Sequence, residues 1–293
     1  MYRAFDLRIT KEELETVIEN NSTERLRLWK NLGWQSKQEF DYEYKELLKD
    51  YLNNGVLNGT ELIEKVFKKS NYDIFLSYSH NDEDLVYTIA GMLMDQFELK
   101  VFVDVFYWGS ADDLLKEIDD LKCRHVNGTY NYEKRNLTTS HVHAMLTAAI
   151  MQLMDLSEVV MFVNTEHSVP VLETTLSGKK EYTFSPWIYE EILLTNLLRE
   201  KEWFIHRLTY ANECYRYEEK DFEIAYELPK NNMIDLNVQI LKEWTRINWR
   251  LNKCKNQKLC TVEDLEVLKY EKNHPLNILY KIVEEKLGLC FGL

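Results

Sequence analysis

Two short apolar runs framed by polar residues, Asp73-Ile-Phe-Leu-Ser77 and Glu158-Val-Val-Met-Phe-Val163, constrain this chain most. Strands of this length with no polar alternation are buried on both faces, which a parallel sheet between helices provides. The first is followed by apolar positions at helical spacing, Leu85, Ile89, Met92, Leu93 and Phe97, with Asp82, Glu83 and Asp84 in the opening turn, where they oppose the positive end of the helix dipole. Val101-Phe-Val-Asp104 is a further strand, with helices expected from about Ala111 to Leu121 and from His141 to Met154. After the second run, Ser185-Pro186-Trp187 opens another helix, with Ser as N-cap and Pro at the first helical position. Strands and helices alternating in this way predict an α/β fold built on an open parallel sheet. The last strand is either Trp203–Leu208 or Phe222–Leu228; the second is preferred, because a helix expected over Ile234–Trp249 then completes a strand–helix unit. The polar stretch from Cys123 to Ser140 shows no clear strand, although an inner one could lie there.

The flanks read differently. Residues 1–70 suggest a helical N-terminal accessory region: Thr10-Lys-Glu-Glu13 and Ser36-Lys-Gln-Glu39 fit the capping-box pattern. Leu26, Leu28, Trp29 and Leu32 follow Ser22 at helical spacing, with Gly33 as the closing residue. Phe40 to Tyr51 and Leu62 to Phe67 supply two more apolar stripes. Residues 251–293 read as a helical tail with Leu276, Leu279, Ile282, Val283 and Leu287 on one face. The division is therefore 1–70, 71–250 and 251–293, with no Gly- or Pro-rich linker at either junction.

Charge narrows the function classes. The net charge of −13 falls on residues 71–250, which hold 17 basic and 30 acidic side chains; the flanks carry −1 and +1. Nucleic-acid binding needs clustered Lys and Arg, so it is not expected. No apolar run reaches the ~20 residues of a membrane span and the first residues lack an apolar signal core, so the expected location is cytoplasmic. Five cysteines without a C-x-x-C pair suit reduced thiols better than disulfides or zinc. His141 and His143, two apart on a helix and hence about 200° apart around it, are poor co-ligands, so no metal is expected. Asp82-Glu-Asp84 reads as a solvated helix start. Dinucleotide-fold, P-loop, nucleophile-elbow and H-E-x-x-H motifs are absent.

The candidate site lies where strand ends gather, since open parallel sheets bind ligands outside the carboxyl ends of their strands. Here those ends are Ser77-Tyr-Ser-His-Asn-Asp82, Asp104-Val-Phe-Tyr-Trp-Gly-Ser110 and Asn164-Thr-Glu-His-Ser168, with the helix opened by Ser185 starting at the same rim. Trp187 and Glu191, four apart, share a helix face, whereas Glu190 is turned away from Glu191 by about 100°. An aromatic plate beside a carboxylate can stack a planar ring and meet a sugar hydroxyl; the same pair also serves as a core anchor and a surface charge.

At these residues the chain resembles the bacterial Toll/interleukin-1 receptor (TIR) family over about residues 71–250. Tyr72-Asp-Ile-Phe-Leu-Ser-Tyr-Ser79 is similar to the family's first box, and Val101-Phe-Val-Asp104 to its second strand and the start of its BB loop. Ser185-Pro-Trp187-Ile-Tyr-Glu-Glu191 is similar to the segment that carries the glutamate of the NAD-cleaving members, where a Trp also precedes the Glu by four. The resemblance implies a flavodoxin-like sheet (the TIR fold) with helical N- and C-terminal extensions. It implies an NAD+ glycohydrolase or ADP-ribosyl cyclase-type activity with Glu191 as the catalytic residue, and NAD+ as substrate rather than cofactor. Ser77, Tyr78, Asp104, Trp108, Asn164, Ser185 and Trp187 are the implied substrate-binding positions. It also implies homo-oligomers through TIR–TIR contacts and, by analogy, a place in antiphage defence in which the nucleotide product signals to a downstream effector. The departures are the polar Cys123–Ser140 stretch, the long loop from Glu166 to Phe184, an insertion-like 201–221 and the two flanks. The alternative is a non-catalytic TIR adaptor acting through TIR–TIR contacts; a nucleoside-processing enzyme of related sheet topology is a broader one.

Overall fold

The structure, a computed structural model, describes residues 1–17, 23–36, 72–103, 115–116, 118–120, 122–170, 181–203, 226–256, 267–270 and 273–289. Its strands are β1 (Arg3–Arg8), β2 (Ile74–Ser77), β3 (Val101–Val103), β4 (Val159–Asn164), β5 (Tyr182–Thr183), β6 (Tyr226–Glu227) and β7 (Met233–Leu236). Its principal helices are α1 (Lys11–Val17), α2 (23–36), α3 (Glu83–Phe97), α4 (Tyr132–Leu156), α5 (Pro186–Leu197), α6 (Val238–Asn256) and α7 (Pro275–Leu287). Five strands form one all-parallel sheet in the order β3-β2-β4-β1-β7, and β5 and β6 form a separate antiparallel pair. The α/β parallel-sheet expectation therefore holds. The run β3-β2-β4 takes the first three places of a flavodoxin-like 2-1-3-4-5 order. The fourth place is filled from the amino terminus by β1, and the fifth by β7.

That placement corrects the reading of the first residues as helical. Phe5-Asp-Leu-Arg-Ile9 alternates apolar and charged residues, the period-two signature of a strand. Phe5 and Leu7 are fully buried on one face, while Asp6 and Arg8 point to the other. The charges that make the segment look unlike a central strand are satisfied there by partners far away in sequence. The capping box that follows is formed as expected: Thr10 N–H donates to Glu13 Oε2 (2.9 Å) and Glu13 N–H to Thr10 Oγ1 (3.2 Å).

α2 does not stop at Gly33, which lies inside the helix. A Cβ there would collide with the Tyr87 backbone, and one on Gly91 with the Trp29 carbonyl, so the two glycines let α2 and α3 meet backbone to backbone. Trp29, fully buried between them, donates its indole N–H to Asp95 Oδ2 at 2.9 Å. The expected helices of residues 40–51 and 62–67, the Ser36–Glu39 capping box and most of the Ala111–Leu121 helix lie outside the described residues.

Two further readings change. The Cys123–Ser140 stretch holds no sheet strand; Arg124 and Tyr130 form a single antiparallel bridge, and α4 begins at Tyr132, capped by Asn131. The last strand of the main sheet is β7, which overlaps the start of the Ile234–Trp249 stretch expected to be helical, because Ile234 is in phase with the apolar positions of the following helix. Of the preferred Phe222–Leu228, Tyr226–Glu227 pairs with β5 rather than with the sheet.

α4 and α5 pack on each other, and α5 covers the sheet face that carries Ser77 and Phe162. α6 packs on both α1 and α3; right-handed crossovers place that layer on the opposite face. One core includes Phe5, Leu76, Val160, Trp244 and Leu279, so it draws on all three stretches of the chain, and α6 runs across position 250. In α7, Leu276, Leu279, Ile282 and Val283 are buried as expected, while Leu287 is exposed.

Candidate functional site

Parallel register puts Ser77, Phe162, Asp6 and Asp235 in one row on the α5 face of four adjacent strands. Asn164 and Arg8 are paired one step further toward the strand ends, on the same face. The chain thus lays a polar line over the carboxyl half of its central strands, where a doubly covered sheet is ordinarily apolar.

At one end of this line stands Glu191. Ser185 caps α5 by accepting the Ile188 N–H (3.3 Å), and Pro186 occupies the first turn, which fixes where Glu191 faces the sheet. The Ser77 hydroxyl donates to Glu191 Oε2 at 2.5 Å, and both side chains are 1% exposed. This contact, made in a water-poor setting, fixes the Glu191 rotamer against the sheet. Trp187, one turn earlier, is half-buried with its ring 5.2 Å from that of His143 on α4. Glu190 faces α4 instead, as expected from the helix geometry. Burial pushes its pKa up, against a hydrogen bond to Thr147 that pulls it down.

The other end is an ion-pair cluster around Asp6, which is 2% exposed. Asp6 accepts from Asn164 Nδ2 (2.9 Å), Lys230 Nζ (3.1 Å) and Arg8 Nη2 (3.3 Å). Glu181 spans the same two cations, with Oε1 3.0 Å from Arg8 and Oε2 2.7 Å from Lys230. Lys230 Nζ also lies 4.8 Å above the centre of the Phe162 ring. Burial works against the Arg8 charge, but Asp6 and Glu181 outweigh it and hold its pKa above the ordinary value.

Of the residues singled out in the sequence, the structure brings Ser77 and Glu191 together, with Trp187 on the same helix and Ser185 acting as its cap. Asn164 lies on the same face, and its amide is engaged by Asp6. Tyr78 is buried, its ring centre 6.4 Å from that of His80 in an edge-on arrangement. Asp104 and Trp108 lie outside the described residues. Asp82 is not a solvated helix start: it is buried and accepts from Thr165 Oγ1 at 2.5 Å, tying the β2–α3 turn to the loop after β4. Asp6, Arg8, Glu181 and Lys230 escaped the sequence reading; only the charges alternating through Phe5–Ile9 hinted at two of them.

Among the described residues no group of His, Cys, Asp and Glu could hold a metal ion, Cys123 is a free thiol, and no helix is long and apolar enough to cross a membrane. Comparison with protein-family models, curated proteins and solved structures gives no match for the chain.

Proposed function

We propose that the protein cleaves the nicotinamide N-glycosidic bond of NAD+, giving nicotinamide and either ADP-ribose or a cyclic ADP-ribose isomer. The observation that carries this reading is the buried Ser77–Glu191 pair at the carboxyl end of β2, on a helix that presents Trp187 one turn away. In this reaction the bond between ribose C1′ and the pyridinium nitrogen breaks, and its electron pair neutralises the ring, so nicotinamide leaves without needing a strong general acid. Positive charge develops on the ribose, and a fixed carboxylate in a site of low dielectric stabilises it. Ser77 holds Glu191 in place so that little reorganisation is required, and Trp187 offers a face for a planar ring. Water adding to C1′ and losing a proton yields ADP-ribose; a nucleophile of the same molecule yields the cyclic product. The TIR-like segments support the choice of substrate, and assembly through like modules and signalling to an effector belong to the same proposal.

The test is nicotinamide release from NAD+ by the full chain and by Glu191→Gln. Removing one such electrostatic contact is expected to lower the rate by about 100-fold or more. Equal rates in the two proteins would overturn the assignment of Glu191. A fully folded protein inactive in both forms, alone and assembled, would favour the adaptor reading, in which the buried Ser77–Glu191 pair is structural.

A further inference from the structure

An acidic chain that acts on a dinucleotide must still grip a diphosphate. We propose that Arg8 and Lys230, held from beneath by Asp6, form a diphosphate receptor, and that Glu181 occupies it as an internal stand-in anion until the ligand displaces it. This rests on the reading of Glu191 as the carboxylate at the nicotinamide ribose.

Three observations carry the inference. The first is the shape of the ion pairing. Glu181 places one oxygen on each cation, Oε1 on Arg8 at 3.0 Å and Oε2 on Lys230 at 2.7 Å, a bridge that two oxygens of a phosphate group can reproduce. The second is the contrast between the two carboxylates. The Asp6 side chain is 2% exposed and has a third donor in Asn164, whereas Glu181 is 30% exposed and the Arg8 side chain 57%. Asp6 is thus the fixed anchor and Glu181 the anion that solvent and ligand can reach. With Glu181 swung away, Arg8 and Lys230 keep Asp6 beneath them and Asp235 on the neighbouring strand, so the formal charge of the group rises by one, from −1 to zero, and both cations lose their shared bridging partner.

The third is position. Ser77, the partner of Glu191, and Asp6 sit in the same row two strands apart, with Phe162 between them, hence about 10 Å from backbone to backbone. Lys230, bonded to Asp6, also lies over the ring of that intervening Phe162. In a dinucleotide the path from ribose C1′ to the diphosphate runs through O4′, C4′, C5′ and O5′, a span that fits between the two ends of the polar line. Arg8 comes from the amino-terminal strand, so β1 brings into the acidic central region a cation that region does not itself supply. The receptor also distinguishes ligands by chemistry: nicotinamide riboside lacks the diphosphate and forfeits the contact, while NAD+ and ADP-ribose retain it.

The experiment is equilibrium binding of inorganic pyrophosphate and of ADP-ribose to the full chain, at fixed ionic strength, in wild type, Arg8→Met, Lys230→Met and Glu181→Gln. Affinity for both probes is expected to fall at least tenfold in the two cation variants and to rise several-fold in Glu181→Gln, where the competing anion is gone. The rise is the decisive sign, because damage to the fold cannot tighten binding. Failure of wild type to bind either probe, unchanged affinity in Arg8→Met and Lys230→Met, or weaker binding in Glu181→Gln would each overturn the receptor. The two readings separate cleanly. Pyrophosphate carries no glycosidic bond, so its binding tests the receptor whether or not NAD+ is cleaved. Glu191-dependent nicotinamide release with the same KM in Lys230→Met would sink the receptor and leave the glycosidic chemistry standing.

Discussion

The two faces of the central sheet, compared one residue apart, are built on different principles. Leu76, Met161, Phe5 and Ile234 form one row; Ser77, Phe162, Asp6 and Asp235, the next residues of the same strands, form the other. In the first row Leu76, Met161 and Phe5 are buried among other apolar groups, an arrangement that requires volume but not direction. In the second, Ser77 and Asp6 are equally buried, yet each is satisfied by a partner from a distant segment: Glu191 lies 114 residues from Ser77, and Lys230 lies 224 from Asp6. A buried polar group without a partner costs far more than one hydrogen bond returns, so the polar row fixes α5 and the segment after β6 to the sheet at defined points. One face supplies stability, and the other supplies orientation.

Substitutions at neighbouring positions of β1 test this contrast most directly. Phe5→Ala removes a fully buried ring from the apolar row and is expected to cost about 3–5 kcal/mol in urea unfolding. A loss below 1 kcal/mol would mean that β1 is not part of the folded core. Asp6→Ala leaves Lys230 and Arg8 with Glu181 as their one shared carboxylate and removes the buried anchor beneath them. Complete burial of such a pair would make the loss larger, but both cations keep some solvent, so about 2 kcal/mol is expected. A double-mutant cycle with Lys230→Met should then recover a coupling above about 0.5 kcal/mol; strict additivity would show that the polar row orients nothing.

The outer layer on the apolar side offers a test of similar size with a different cause. Gly91→Ala adds a methyl group where α3 meets the Trp29 carbonyl. Ala gains about 1 kcal/mol of helix propensity over Gly, but overpacking against backbone costs about 1–3 kcal/mol, so net destabilisation of about 1 kcal/mol is expected in thermal melts. A stabilised variant would show that α2 is free to move off α3.

What could be read in the sequence follows the same division. The apolar row announces itself: β2, β4 and the buried positions of α3 are continuous or periodic apolar patterns, and local chemistry alone fixes the Thr10–Glu13 capping box and the Ser185 cap. Glu191 was legible because Ser185, Pro186 and Trp187 define the helix phase that carries it. The polar row is illegible locally, since Asp6 and Arg8 resemble surface charges until Lys230 and Glu181 are brought beside them. β7 was hidden for a related reason: Met233-Ile-Asp-Leu236 is short, and its Ile continues the apolar spacing of α6 backward, so helix periodicity masks the strand. Gly33 shows the converse error, in which a residue chosen for close helix packing imitates a helix terminator.

The smallest expected effect concerns Glu190, the carboxylate next to Glu191 that faces α4 rather than the sheet. Its pKa is raised above the ordinary 4.5, chiefly by burial, so the folded state binds this proton more tightly than the unfolded chain does. The sign of the linkage follows: the contribution of Glu190 to stability is fully present below about pH 4.5 and is lost as pH rises through the folded value. At neutral pH the charged group is held in a setting that disfavours it. Glu190→Gln keeps the shape and a hydrogen-bonding atom for Thr147 but cannot ionise. The variant should therefore melt above wild type at pH 7, with the gap closing as pH approaches 4. A gap independent of pH would remove burial as the cause and leave Glu190 equivalent to any exposed carboxylate.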